Sequence, residues 1–286
     1  MSGLQTSLKL ILLLTWLGSL AWLIRYEAFP HWFEETVRGY RMLLRDLPAI
    51  QDSWMKIYAG DQHVGYTNST VELAEVDGRE DWVLKSQLQL MVAMPDALAP
   101  LRVSSAVHLR NQHQLIRFEV QIYFQRLQGY VTGHRTEGDT FDVSLSAGNV
   151  QMRRRITLPP DVILISPLGE TALRGLRDGQ QLRMRAFDPL SLSGDTREMI
   201  LRGGELEELT LRDGSRHEAR TLTVSSGDMT VRVWSDGQGL VLKQETPFGL
   251  TLEVSEVGEA IRIPEGQGLN PMDLPGTASF FTLQNL

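Results

Sequence analysis

His31, His63, His108, His113, His134 and His217 are the side chains best suited to proton transfer or metal ligation in this sequence. A zinc site draws three or four converging ligands. No two of these histidines are four residues apart and no H-E-x-x-H occurs, so the helical metal pair is missing. Each reads as a surface histidine, and no metal site is expected. The chain has no cysteine, which excludes disulfides, thiolate zinc sites, cysteine nucleophiles and lipidation at cysteine. There is no G-x-S-x-G nucleophile turn, and Gly203-Gly204 lacks the lysine that follows a phosphate loop. Glu205, Glu207 and Glu208 cluster without the alternating aspartates of a calcium loop and read as a solvated face. Paired carboxylates for acid–base work meet only in the folded chain and stay open. Arg153-Arg154-Arg155 suits either plain solvent or contact with lipid head groups or an acidic partner. No catalytic residue and no cofactor emerge, so a non-enzymatic protein is expected, with a hydrolase of dispersed residues as the minor reading.

The elements that would position such groups begin with a stretch of fifteen uncharged residues, 10–24, between Lys9 and Arg25. With Leu8 and the stem of Lys9 it reaches the short end of a membrane span, roughly 17 to 25 residues. An uncleaved signal-anchor is the favoured reading. Cleavage after Ala21 would cut inside the apolar run, and a core helix would show a polar face at 3.6-residue spacing. The membrane is therefore expected to be engaged through residues 8–24, in a single pass of the inner (cytoplasmic) membrane. Arg25, Arg38, Arg41 and Arg45 after the run favour the body inside. The short basic head before it is the usual export signal, and on that ground the body is expected in the periplasm or outside. Trp22, Trp32 and Phe33 suit an interfacial aromatic belt.

Residues 26–48 carry Phe33, Val37, Tyr40, Leu44 and Leu47 at steps of four, three, four and three, a heptad-like seam ended by Pro48. That seam packs either on its own domain or against helices of integral membrane subunits. From Trp54 the texture turns to strands. Leu88, Leu90, Val92 and Met94 share one face, with Gln87 and Gln89 on the other. Ile116, Phe118, Val120, Ile122 and Phe124 alternate with Arg117, Glu119, Gln121 and Tyr123. Turns are expected at Asp61-Gln62, Asp77-Gly78, Asp178-Gly179, Gly194-Asp195, Gly203-Gly204, Asp213-Gly214, Gly227-Asp228 and Asp236-Gly237, with a break or bulge at Phe248-Gly249. This spacing predicts a mainly β body: a large curved antiparallel sheet or open barrel, in one piece or as two β halves, behind a transmembrane helix and an amphipathic helix. The organisation reads as anchor 1–25, amphipathic helix 26–48, first β half 54–156, crossover 157–177, second β half 178–263, and an irregular tail 264–286 lying on the surface. Trp54, Trp82 and Trp234 are expected in the core. The net charge of −7 and pI near 5.4 argue against nucleic acid as a partner.

Two stretches, WMKIYAGDQHVGY near the start and VRVWSDGQGLVLKQETPFGL near the end, with LPPDVILISPLG and LRDGQQLRMRAFDP between them, resemble bacterial envelope β domains of unknown function. These are often found near transglutaminase-like proteins, and the resemblance spans residues 54–262. In outline the group is similar to lipoprotein-localisation factors, whose curved sheet wraps an apolar cavity. The resemblance implies an extracytoplasmic, non-enzymatic domain and transfers no catalytic residue. Two functions follow as expectations. One is an accessory or scaffold subunit of a membrane complex, docking through the Phe33, Val37, Tyr40, Leu44 and Leu47 seam. The other is a tethered binder of lipid or an acyl chain, with a cavity lined by Leu88, Leu90, Val92, Ile116, Phe118, Val120, Ile122 and Phe124.

Overall fold

The computed structural model describes residues 50–271 apart from 77–78, 112–113, 165–175, 177, 191–193 and 228, together with residues 15, 16, 19, 35, 36 and 40. The chain divides into two units, Met1–Thr36 and Val37–Leu286. In the first, Thr15, Trp16 and Ser19 are helical and exposed, and Glu35–Thr36 forms a short strand, β1. The rest of the expected anchor lies outside the described residues. Among those that are described, no helix is long and apolar enough to cross a membrane.

In the second unit the described residues form fifteen strands. The alternating runs found in the sequence become β2 (Ile50–Ala59), β3 (Gln62–Val76), β4 (Arg79–Ala93), β5 (Leu98–Arg110), β6 (Gln114–Phe124), β7 (Leu127–Arg135), β8 (Thr140–Ala147) and β9 (Val150–Thr157). A short strand β10 (Val162–Leu164) follows. Then come β11 (Gln181–Phe187), β12 (Thr196–Thr210), β13 (Arg216–Ser226), β14 (Met229–Ser235), β15 (Val241–Glu245) and β16 (Leu250–Val254), with a one-turn helix α1 (Val257–Ala260). Strands β2 to β9 form one antiparallel meander and β11 to β16 a second, and β16 pairs with β2, Leu252 opposite Ile57. The two expected halves are therefore one continuous sheet. β10, inside the expected crossover, pairs parallel with β11.

The sheet rolls without closing, since β9 ends it at one edge and does not pair with β10 or β11. What rolls it is its apolar face. Phe118 on β6 meets Phe187 of β11 at 6.0 Å and Phe141 of β8 at 6.2 Å between ring centroids. A single core runs from Met55 through Val107 and Val143 to Leu201 and Val233, drawing on both meanders. Burying a side chain as Phe118 is buried stabilises by about 1.5–3 kcal/mol. Gly133 makes the fit possible: a Cβ there would lie 2.2 Å from the Phe118 ring. Tyr40 belongs to the same core, 1% exposed, and its hydroxyl accepts a 2.9 Å hydrogen bond from the Leu164 N–H. Burial pushes its phenol well above the ordinary range.

Three local expectations are corrected. Gly203-Gly204 is no turn but a bulge inside β12, where the register shifts and a Cβ on Gly204 would lie 2.5 Å from the Thr221 hydroxyl. Trp54 is half-buried on the outward face, 5.8 Å from the Tyr66 ring, because it alternates out of phase with Met55 and Ile57. The start of the tail is anchored rather than laid loosely on the surface. β3 leaves β4 after Leu90, and Leu269 fills the edge this exposes, its N–H bonded to Met91 and its carbonyl to the Ala93 N–H. Its side chain is buried against Ile57, Val64 and Leu90. Trp82 and Trp234 are buried as expected, Trp234 in a second cluster with Leu209, Leu211 and Ala219.

Candidate functional site

The inward face of β4 to β9 is mostly apolar, interrupted by Ser86 and Ser105 and, at the β9 edge, by Arg154, and its burial falls off along the strands. The strands are in register, so residues opposite one another form rows across the sheet. The row Leu84, Val107, Phe118, Val143 is buried to 1–2% exposure. One step along, Val120 and Leu145 are half-buried against the core. A further step reaches Leu88, Val103 and Ile122, then Gly129 and Val150, which is 57% exposed. The last row is Leu101, Phe124 and Leu127, the last 66% exposed. The core thus ends partway along the strands while the apolar pattern continues, leaving an apron of large side chains on the inward face. An added Cβ at Gly129 would stand 3.9 Å from the Ile122 Cβ, an ordinary van der Waals contact, so this position would accept a side chain without a clash. Contiguous exposed apolar surface of this kind marks binding regions more often than accident.

The eight residues expected to line a cavity separate into four groups. Phe118 is core. Leu90 and Val92 are buried where Leu269 docks, while Ile116 lies at the irregularity where β5 and β6 change register. Leu88, Val120, Ile122 and Phe124 belong to the apron or its margin. Leu127, Val150 and Met152 also lie there, and sequence reasoning missed them. Leu127 follows a turn, and Val150 and Met152 sit in an arginine-rich strand, so local pattern alone did not mark them. Of the partner-helix seam, Tyr40 is turned into the domain's own core; Phe33, Val37, Leu44 and Leu47 lie outside the described residues.

Among the described residues the groups able to do chemistry do not converge. Among the described residues no three of His, Asp and Glu are placed to hold a metal ion. His63 is buried, with its ring nitrogen 2.9 Å from the Gly65 carbonyl, and burial holds its pKa below the ordinary histidine value. His108 is likewise lowered, first by burial and then by the Arg117 guanidinium opposite it. His217 is 3.0 Å from the Ser215 hydroxyl. His31 and His113 lie outside the described residues. Glu207 accepts a 2.5 Å bond from the Trp234 indole and Glu208 pairs with Arg216 at 3.3 Å, so the acidic cluster braces its own strands. Arg153, Arg154 and Arg155 are exposed on β9, with Arg155 bonded to Asp142 at 2.8 Å. One Ser-x-x-Lys spacing, Ser53 and Lys56, is present. On a strand these two point to opposite faces; Ser53 is buried and Lys56 pairs with Glu259 at 2.7 Å.

A barrel-like, open β-sheet with an apolar inner face defines the class to which this fold belongs. No protein-family model matches the sequence, and no curated protein matches it. Among solved structures, the fold is similar to a β-barrel-like protein of the domain of unknown function DUF1849 from Brucella abortus. The TM-score is 0.50 at 9% identity, over 73% of this chain and 96% of that one. A DUF1089 family protein from Pseudomonas aeruginosa matches at a TM-score of 0.35 and 13% identity, over 62% of this chain and 87% of that one. At these identities the first likeness concerns the fold alone, and the second carries no argument.

Proposed function

We propose that this chain is a non-enzymatic β domain, tethered at the inner membrane and facing the periplasm or exterior, whose apron takes up an acyl chain. The observation that carries this reading is the apolar end of the inward face, where Leu88 and Ile122 are half-buried and Leu127, Val150 and Met152 are exposed. A curved sheet presenting aliphatic and aromatic side chains offers a flexible hydrocarbon many weak contacts and asks for no polar partner. The uncharged stretch 10–24 supports the tether, and the resemblance to envelope β domains supports the compartment. A tethered domain presents its ligand locally and does not shuttle it. The scaffold reading keeps the same tether but fills the apron with a partner subunit.

The test is titration of the purified full chain with a fluorescent twelve-carbon fatty acid. Saturable binding that Ile122→Glu abolishes, in a variant that keeps its β-sheet circular dichroism, supports the proposal. No uptake by the wild type, or uptake unchanged in Ile122→Glu, overturns it. Co-purification of a membrane protein that is lost in Ile122→Glu, without fatty-acid binding, assigns the apron to the scaffold role.

A further inference from the structure

The opposite, outward face of the same strands has a composition of its own. Two adjacent rows cross the sheet in register. The first runs Asn68, Gln87, Ser104, Gln121, Tyr130, Ser146 and the second Tyr66, Gln89, Arg102, Tyr123, Gln128. A sheet face that merely meets solvent is ordinarily dressed in lysine and glutamate. These eleven positions hold one charge, Arg102, and its Nε is bonded to the Gln89 side-chain carbonyl at 3.0 Å. The next row along returns to the ordinary pattern with Lys85 and Glu119.

The rows are also hollowed and held. A cavity of 410 Å3 lies between Tyr66 and Tyr123, lined by Gln87, Gln89, Arg102 and Ser104. A smaller one of 150 Å3 shares Gln87 and Ser104 and continues past Gln121 to the charged side chains of Lys85 and Glu119. The Tyr123 hydroxyl donates to the Gln121 side-chain carbonyl at 3.1 Å and lies 2.9 Å from the Tyr130 hydroxyl. The Gln128 amide donates to Tyr130 in turn. The Tyr123 and Tyr130 rings meet edge to face at 5.9 Å, and Tyr66 rests against Trp54. The aromatic rings at either side of the groove are therefore fixed in place before any ligand arrives.

We propose that this groove binds a neutral oligosaccharide chain. Side-chain amides each carry both a donor pair and an acceptor, matching hydroxyls that both give and take hydrogen bonds. Tyrosine rings give rigid contact area at low entropic cost, suited to the C–H faces of sugar rings. Arg102 is the one charged side chain lining the larger hollow, and on a chain of net charge −7 this disfavours anionic polymers there. The site lies on the face opposite the apron and stands or falls independently of acyl-chain binding.

The test is calorimetric titration of the full chain, in a detergent without a sugar head group, with the hexasaccharides of glucose in β-1,4 linkage, glucose in α-1,4 linkage and N-acetylglucosamine in β-1,4 linkage. Binding of at least one of them is expected. It should weaken by about tenfold or more in both Tyr123→Ala and the surface variant Gln87→Ala. Absence of binding to all three, or binding that survives Gln87→Ala and Tyr123→Ala intact, overturns the assignment.

Discussion

Gly133→Ala should be among the more damaging single-methyl additions to this domain. The new Cβ would lie 2.2 Å from two carbons of the Phe118 ring, where carbon atoms rest at about 3.5–4.0 Å. The ring would have to retreat by more than an ångström. It cannot do so freely, because Phe118 is 1% exposed and wedged against Phe141 and Phe187. Overpacking of this kind costs about 1–3 kcal/mol. Phe118→Ala alone should cost about 3–5 kcal/mol, since it empties a buried contact between the two meanders. In the double variant the added methyl enters vacated space, so Gly133→Ala should cost almost nothing there. That gives a coupling energy of about 1–3 kcal/mol. Urea midpoints at constant slope measure all four proteins, and each 1 kcal/mol corresponds to roughly 2–4 °C in a thermal melt for a domain of this size. If Gly133→Ala costs the same with and without the Phe118 ring, the packing account of the roll is wrong.

Tyr40→Phe removes the acceptor of a buried N–H at Leu164 and should destabilise by about 1–3 kcal/mol by urea midpoint, whereas an unchanged midpoint would refute a stabilising hydrogen bond there. Leu269→Asp should release the tail from β4, and hydrogen exchange should then show loss of protection at the Ala93 amide, which bonds to the Leu269 carbonyl at 2.8 Å. Acid should weaken the fold through His108. Its folded pKa is below the unfolded value, so between the two the unfolded chain binds more protons and stability falls as pH drops through that window, starting near about 6.5. The charged groups around it are Arg117, Lys85, Glu119 and Asp81. His108→Gln should flatten the urea midpoint between pH 7 and pH 5.5, and an equally steep decline would assign that slope to other groups.

Much of the sheet was written in local pattern. Alternation in Ile116 to Phe124 and in Leu88 to Met94 requires one apolar and one polar face whatever the partner, because side chains on a strand point alternately. Turn positions such as Asp213-Gly214 follow from backbone freedom, Gly214 having φ 85°. Absence of cysteine and the lack of motif spacing likewise depend on sequence alone.

Whether the two meanders join, which apolar residues are covered and what the polar face assembles were decided by pairings far apart in the chain. Phe118 and Ile122 occupy equivalent places in one alternating run. Phe118 is core, with the Phe187 ring 6.0 Å away, and Ile122 is half-buried. The Tyr66, Gln89, Arg102 and Tyr123 row draws on four strands, and only their register brings it together. Local sequence sets which way each side chain points from its strand, but burial depends on what the rolled sheet brings opposite it, and that is a property of the whole chain.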